Sequence, residues 1–288
     1  MRDNPLRPAL RYHGSKWRIA PWVINHFPRH TLYVEPFGGG AAILLRKQPS
    51  TIEVYNDLDG EIVNFFKVLR NPMLAEELGR QLLFTPYSRA EYDLAHEPVD
   101  GPGYEVEQAR RTLVKSFMGF ASNAATAKYK SGFARRYKSN NGVVDGWVEY
   151  PKHIASFTRR LRSVTIECWP ALEVLEKYDA PDTLFYVDPP YVQATRNSRG
   201  CYRHEMTDAQ HKELAERLHG LQGKVVLSGY ACPLYDRLYS GWLTASMETI
   251  GDKAAKRTER LWISPAAVKD FSQRTLLECA SLQEPVYA

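Results

Sequence analysis

Residues 183–191 read TLFYVDPPY, and this stretch decides the fold class. The first five residues form an uninterrupted apolar or β-branched run, which is typical of a strand covered on both faces. Asp188, two prolines and Tyr191 follow directly, at the strand end where open α/β sheets bind ligands. A carboxylate and a proline carbonyl free of strand pairing suit a planar base with an exocyclic amino group. An ordinary strand-terminating turn is the alternative.

Seven short runs of this kind predict strands, at 31–35, 51–55, 163–168, 183–187, 224–228, 242–249 and 260–264. Helical spacing lies between several of them. Residues 59–70 follow a predicted Asp59 cap, and residues 207–221 open with a capping box of Thr207 and Gln210. Alternating strands and helices predict an α/β fold with a seven-stranded, mostly parallel sheet.

About a hundred residues between the second and third strands show helical patterns without a convincing strand. We therefore predict a catalytic domain from residues 1–70 and 151–288, interrupted by a helical basic insertion at 71–150. From Arg110 to Arg162 there are twelve Lys or Arg against Asp145 and Glu149, a formal charge of +10 in a chain of +5. A polyanionic partner explains this asymmetry better than a solvated charged face does.

Two glycine-containing stretches predict a ligand pocket. EPFGGG at 35–40 joins the first strand to a helix, so Phe37 and Gly38 can let a ligand approach the backbone. Asp57 comes nineteen residues after Gly38, a spacing suited to ribose hydroxyls, with a helix cap as the alternative. Near the N-terminus, Tyr12 and Lys16 flank a glycine in a composition suited to closing over a ligand.

Composition limits the remaining classes of function. The hydrophobic content of 44% and charged content of 25% are ordinary for a globular protein. The four cysteines are far apart and the histidines show no ligand spacing, so we expect no metal. The sequence has no apolar stretch long enough to span a bilayer, and we expect a cytoplasmic protein. It leaves the oligomeric state open, a monomer included.

Taken in order, YHGSK at 12–16, EPFGGG, Asn56-Asp57, the basic insertion and DPPY resemble the Dam-type (α-ordered) adenine-N6-specific DNA methyltransferase family. The resemblance runs from about Arg11 to Pro265 and includes LSGY at 227–230 and RTERLW at 257–262. It implies a Rossmann-like fold that binds S-adenosyl-L-methionine. It also implies methyl transfer to adenine N6 in double-stranded DNA, by direct attack on a base flipped out of the duplex.

The family's site residues carry over by matching motifs. The resemblance implies that S-adenosylmethionine is bound by Tyr12, Lys16, Asp57 and Asp188, with Phe37 and Gly38 in the loop beneath. Asp188 and Pro189 would accept the two N6 hydrogens, while Tyr191 would stack on the base. Clustered basic residues are the predicted DNA contacts: Arg135, Arg136, Lys138, and Arg196 in the loop after DPPY.

One stretch departs from the family pattern. CWPA at 168–171 stands where the family commonly has a polar or acidic residue near the cofactor adenine. Trp169 either stacks on that ring or belongs to the core, and we favour the core.

Other functions stay open at this point. A cytosine-N4 methyltransferase needs the same amine chemistry, although Asp rather than Ser at position 188 is against it. An RNA- or protein-modifying enzyme and a catalytically silent DNA-binding protein are further alternatives. The sequence identifies neither a recognition site nor a partner restriction enzyme of a restriction-modification pair, nor whether the gene is chromosomal or phage-borne.

Overall fold

The computed structural model describes residues 4–120, 124–126, 129–134, 142–195, 202–250 and 256–271. The strands within these ranges are β1 Leu32–Glu35, β2 Ile52–Asn56, β3 Val164–Glu167, β4 Thr183–Val187, β5 Lys224–Tyr230, β6 Leu243–Ile250 and β7 Lys256–Ile263. The helices are α1 Ala20–Asn25, α2 Ala42–Arg46, α3 Gly60–Arg70, α4 Pro72–Leu83, α5 Arg89–Leu94, α6 Tyr104–Met118, α7 Gly142–Glu149, α8 Ile154–Leu161, α9 Ala171–Lys177, α10 Asp208–His219, α11 Pro233–Leu238 and α12 Pro265–Phe271. Short 3₁₀ turns occupy Tyr150–His153 and Gln193–Thr195.

The seven predicted strands are confirmed, and they form one sheet in the order β3-β2-β1-β4-β5-β7-β6. Neighbouring strands from β3 to β5 pair in parallel, whereas β7 is antiparallel to both β5 and β6. β7 begins at Lys256, earlier than predicted, because its polar first half pairs with β6. The order reverses between β1 and β4, so the crevice beyond their carboxyl ends is the expected ligand site of this Rossmann-like sheet.

Alternating side chains along the strands cover both faces of the sheet. Tyr186 packs into the core shared with α1–α8, whereas the preceding Phe185 packs into the core shared with α9–α11. The same alternation separates Tyr33 from Val34 and Tyr55 from Val54. Each strand is therefore apolar at successive positions, and the fold is a three-layer α/β/α arrangement.

The helix starts follow the predicted caps. Asp59 accepts a hydrogen bond from the Glu61 amide at 3.1 Å and begins α3. Thr207 and Gln210 form the reciprocal capping box that begins α10. These caps place both helix N-termini at the carboxyl edge of the sheet.

The described helices of residues 71–150 pack directly on the sheet layer. Leu78, Leu113, Phe117 and Trp147 belong to the same core cluster as Tyr33 and Tyr55. α6 crosses α3, which follows β2 without a break. In the described ranges this segment therefore shares the catalytic layer's core, and its DNA-binding role stays a prediction.

Acids from outside the basic segment neutralise part of its charge, which the count of charges within residues 110–162 does not show. Arg110 pairs with Glu107 at 2.7 Å and with Glu91 at 2.6 Å, and Arg160 pairs with Glu53 at 2.6 Å. Further pairs join Arg111 to Glu107 and Lys115 to Glu61. Acids outside residues 110–162 thus neutralise four buried basic side chains. These four side chains form ion pairs inside the protein and do not contribute to a surface that could bind a polyanion.

Among the described helices, none is both long and apolar enough to cross a membrane.

Candidate active site

A cavity of about 450 Å³ opens beyond the carboxyl ends of β1, β2 and β4. The six residues predicted to hold the cofactor all line it, namely Tyr12, Lys16, Phe37, Gly38, Asp57 and Asp188. Pro189 lines it as well. Residues separated by up to 176 positions in the sequence therefore meet in one pocket, because parallel strands end at the same edge of the sheet.

The glycine-rich turn is packed too closely for side chains. A Cβ at Gly38 would lie 2.2 Å from the Tyr55 ring, and one at Gly39 would lie 2.8 Å from the Tyr12 ring. Gly39 also has a φ of 45°, in the left-handed region that favours glycine. The turn is thus sandwiched between two tyrosine rings, with its backbone facing the cavity.

Asp57 holds the glycine-rich turn against the end of β2. Its Oδ2 accepts from the Gly39 amide at 2.8 Å and its Oδ1 accepts from the Asp59 amide at 2.9 Å. Asp59 rather than Asp57 caps α3, so the alternative interpretation of Asp57 as the helix cap is wrong. Burial raises the pKa of Asp57 to about 6, against the effect of the two amides. Each carboxylate oxygen keeps a lone pair for a ligand hydroxyl.

Replacing Asp57 with alanine is expected to weaken cofactor binding about tenfold or more, because a buried charged acceptor is lost. Affinity for DNA should stay within about twofold, since Asp57 lies in the cavity that is predicted to hold the cofactor. Calorimetric titration with S-adenosylmethionine measures the first and DNA titration the second. Asp100→Ala, at an exposed loop position, is the matched control. Unchanged cofactor affinity would reduce Asp57 to a support for the turn.

Asp188 presents one paired and one unpaired carboxylate oxygen. Oδ2 lies 2.9 Å from Lys16 Nζ, whereas Oδ1 is buried and makes no hydrogen bond to the described residues. Burial raises the pKa of Asp188 to about 6, and the Lys16 ammonium opposes that rise. The side chain is therefore charged at neutral pH and keeps one acceptor for a donor from outside the chain.

Lys16 is buried beside both Asp188 and Tyr191. Its Nζ donates to the Gly14 carbonyl at 2.8 Å and lies 4.7 Å from the centre of the Tyr191 ring. Burial disfavours the ammonium, but Asp188 and Glu259 hold the pKa of Lys16 above its usual value. Lys16 thus stays charged, and its ion pair with Asp188 links the N-terminal segment to the DPPY motif at 188–191.

Tyr191 stands beside the cavity and does not line it. Its ring makes a T-shaped contact with the Tyr230 ring, with 4.6 Å between the ring centres. Its hydroxyl donates to the Glu259 carboxylate, and Ser228 Oγ lies 3.5 Å away. Sequence reasoning missed Glu259, because it lies 68 residues from Tyr191 and no local pattern links the two.

The segment from Tyr202 to Met206, for which the sequence predicted no cofactor contact, also lines the cavity. Tyr202 donates to the His13 carbonyl at 3.2 Å. Arg203 donates to Asp59 at 2.6 Å and to Glu61 at 2.8 Å. This segment therefore bridges the N-terminal segment and α3 across the pocket, through contacts that only the tertiary structure shows.

Trp169 is not a core residue, contrary to the prediction. Its side chain is 37% exposed and lines the cavity, with Lys177 Nζ 3.7 Å from its ring centre. Asn56 fixes its backbone through two hydrogen bonds, of 2.8 Å from the Trp169 amide and 3.0 Å to its carbonyl. The chain leaves β3 at the edge of the sheet, where the ring lies between the pocket and Lys177 of α9.

Other predicted features have different outcomes. Across the described ranges, no group of three His, Cys, Asp or Glu side chains could hold a metal ion. The predicted DNA contacts lie outside the described residues: Arg135, Arg136, Lys138 and Arg196.

The sequence matches a family model over residues 12–258, from the tyrosine of the pocket into β7. The family is described as D12 class N6 adenine-specific DNA methyltransferase. Among curated proteins, none matches the chain.

Proposed function

This chain belongs to the D12 class of N6 adenine-specific DNA methyltransferases, and we propose that its methyl donor is S-adenosylmethionine and its substrate double-stranded DNA. The family is enzymatic and methylates adenine, so cytosine-N4 transfer and a silent DNA-binding role are not favoured. The observation that carries the proposal is the buried Oδ1 of Asp188, which has no hydrogen-bond partner among the described residues. This oxygen can accept a hydrogen bond from a ligand, and it belongs to a side chain that lines the pocket.

The pocket fits the proposed donor in size and in chemistry. Its volume of about 450 Å³ is in the range of small-molecule sites. Asp57 offers acceptors for ribose hydroxyls, and the side chains of Phe37 and Trp169 offer apolar surface for a ring. When bound, S-adenosylmethionine supplies a methyl group on a positively charged sulfur, which keeps the bonding electron pair when the methyl leaves.

Asp188 and Pro189 would prepare the adenine amine for attack. The Asp188 Oδ1 and the Pro189 carbonyl are acceptors for the two N6 hydrogens, so the nitrogen lone pair turns out of ring conjugation. That lone pair would form the new bond to the methyl carbon as the carbon–sulfur bond breaks, and the nitrogen would then release one proton to solvent. The contribution of the protein is orientation and charge placement.

Tyr191 would hold the base after it leaves the duplex. Unstacking costs a few kcal/mol, roughly, and stacking on an aromatic ring returns about 1–3 kcal/mol. Lys16 over its face and the T-shaped contact with Tyr230 support the ring in one orientation. A fixed ring loses little side-chain entropy when the base arrives.

The described edge of the insertion supports the predicted DNA contacts. The Phe120 amide donates to the Gly132 carbonyl at 2.8 Å, and the Ala134 amide donates to the Met118 carbonyl at 2.7 Å. The backbone just before Arg135 is therefore anchored at the end of α6. Phe120 and Tyr129 are exposed beside it, at 76% and 54%.

If Arg135 and Arg136 bind phosphates, replacing both with alanine should flatten the salt dependence of DNA binding. Each phosphate neutralised contributes a slope of about −0.9 in a plot of log affinity against log salt. Binding should weaken for all DNA sequences alike, and anisotropy titrations from low to high salt measure it. Replacing Lys212 and Arg217 of α10, on the other sheet face, is the control. An effect confined to one sequence would instead mean that the pair reads bases.

Methyl transfer itself can be tested without knowing the recognition site. Unmethylated DNA is incubated with the protein and S-adenosylmethionine labelled in its methyl group, then digested to nucleosides. We expect the label in N6-methyl-2′-deoxyadenosine. Label in N4-methyl-2′-deoxycytidine, or no incorporation by the folded protein, would refute the proposal.

A further inference from the structure

Glu259 is a buried carboxylate that reaches the DPPY corner from the antiparallel strand. Its side chain is 4% exposed, and it pairs in register with Tyr230 at the carboxyl end of β5. Because β7 runs opposite to β5, its N-terminal half lies at the same edge as the cavity. Glu259 belongs to the RTERLW stretch at 257–262, to which the resemblance gives no role.

The contacts of Glu259 converge on Tyr191. Oε1 accepts from the Tyr191 hydroxyl and, at 2.7 Å, from the Ser228 hydroxyl. Glu259 therefore binds the hydroxyl of Tyr191, while Lys16 lies over the face of the ring and Tyr230 makes a T-shaped contact with it. Three different segments of the chain fix the orientation of this one aromatic ring.

The charges around this ring form a small buried cluster. Two carboxylates, Asp188 and Glu259, share one ammonium, Lys16, so the cluster is formally −1. Burying an uncompensated charge is costly. A cluster with one excess negative charge suits a site that must receive a positively charged sulfur.

We propose that Glu259 is a positioning residue for methyl transfer, which fixes Tyr191 through its hydroxyl and whose negative charge acts on Asp188 across the same cluster. This inference rests on the proposed function of the site. It gives the Tyr191 hydroxyl a purpose that stacking alone does not require. Through Glu259, strand β7 would also contribute to the orientation of Tyr191 during methyl transfer.

A double-mutant cycle tests the link between the two side chains. Glu259→Met removes the acceptor at similar length and Tyr191→Phe removes the donor, so each breaks the same hydrogen bond. We expect each to lower the rate of methyl transfer at saturating substrates about tenfold, since a buried bond to a charged group is lost. The double variant should be no slower than the slower single variant. Multiplying effects would overturn the positioning role.

Glu259→Gln separates charge from position, because the amide oxygen still accepts from Tyr191. The titratable groups of the described residues that interact with Asp188 are Lys16, Glu35, Glu259, Tyr12, Tyr186, Tyr191, Tyr230 and Tyr235. Glu259 raises the pKa of Asp188, so removing its charge should move the acid limb of the pH–rate profile to lower pH. Glu248→Gln removes an exposed charge from the neighbouring strand β6 and should leave the profile unchanged.

The outcomes distinguish this inference from the function beneath it. Wild-type protein that methylates no adenine refutes the proposed function. Active wild type, with an unmoved acid limb in Glu259→Gln and multiplying effects in the cycle, refutes the role of Glu259 alone. If Glu259→Met fails to fold, as judged by its melting temperature, Ser228→Ala and Glu259→Gln replace it. Ser228→Ala frees Glu259 from its second donor and should slow transfer less than Tyr191→Phe does.

Discussion

Asp188→Asn is expected to lower the rate of methyl transfer by about a thousandfold or more, with both substrates still bound. The amide matches the carboxylate in shape but brings a donor group against the amine hydrogens that Asp188 would accept. Losing one preorganised electrostatic contact in a buried site costs about 10²–10³ in rate, and here the ion pair with Lys16 is lost as well. Single-turnover transfer to unmethylated DNA measures the rate directly.

The control for this variant is Asp182→Asn, which removes a carboxylate at the exposed opposite end of β4. It should transfer at the wild-type rate. A near-normal rate for Asp188→Asn would show that the amine needs no carboxylate and would refute the mechanism.

Lys16→Met is expected to move the acid limb of the pH–rate profile to higher pH. Lys16 lowers the pKa of Asp188, so its removal lets burial raise that pKa further above about 6. More of Asp188 is then protonated at pH 7, where the rate should fall about tenfold or more. Because the protonated form returns to carboxylate as pH rises, part of the lost rate should return by pH 9.

Rates at saturating cofactor keep this effect apart from that of Asp57, whose pKa is also raised to about 6 and whose protonation would weaken cofactor binding. Lys16→Arg preserves the charge and should restore most of the profile. Lys67→Met, at an exposed position of α3, is the neutral control. An acid limb that stays in place in Lys16→Met, with only the cofactor requirement raised, would limit Lys16 to cofactor binding.

The sheet and the main pocket could be predicted because both depend on local patterns. Apolar runs such as 183–187 identify strands, and polar residues placed just after strands must meet at one edge of a parallel sheet. Asp57 and Asp188 are therefore neighbours of the same cavity although no local contact joins them.

The errors arise where side chains meet across long stretches of sequence. Arg160 contributes to a basic run in the sequence, but Glu53, 107 residues earlier, neutralises it inside the protein. A large aromatic side chain such as Trp169 is usually buried in a core, but here the chain turns after β3 and the side chain lines the pocket. Glu259 lies in a polar stretch of an antiparallel strand. The sequence around it does not indicate the direction of that strand, so it does not show which edge of the sheet Glu259 approaches.

The pocket draws Tyr12 and Lys16 from the beginning of the described chain, while Glu259 comes from the second-to-last element. A nascent chain of two hundred residues therefore contains the DPPY motif at 188–191 but not yet β7 with Glu259. Half-made chains, or fragments cut within α10, would lack β7 and the side chain that holds Tyr191. Such chains also lack the strand that pairs with β5 and β6, so we expect methyl transfer only from molecules whose synthesis has proceeded past β7.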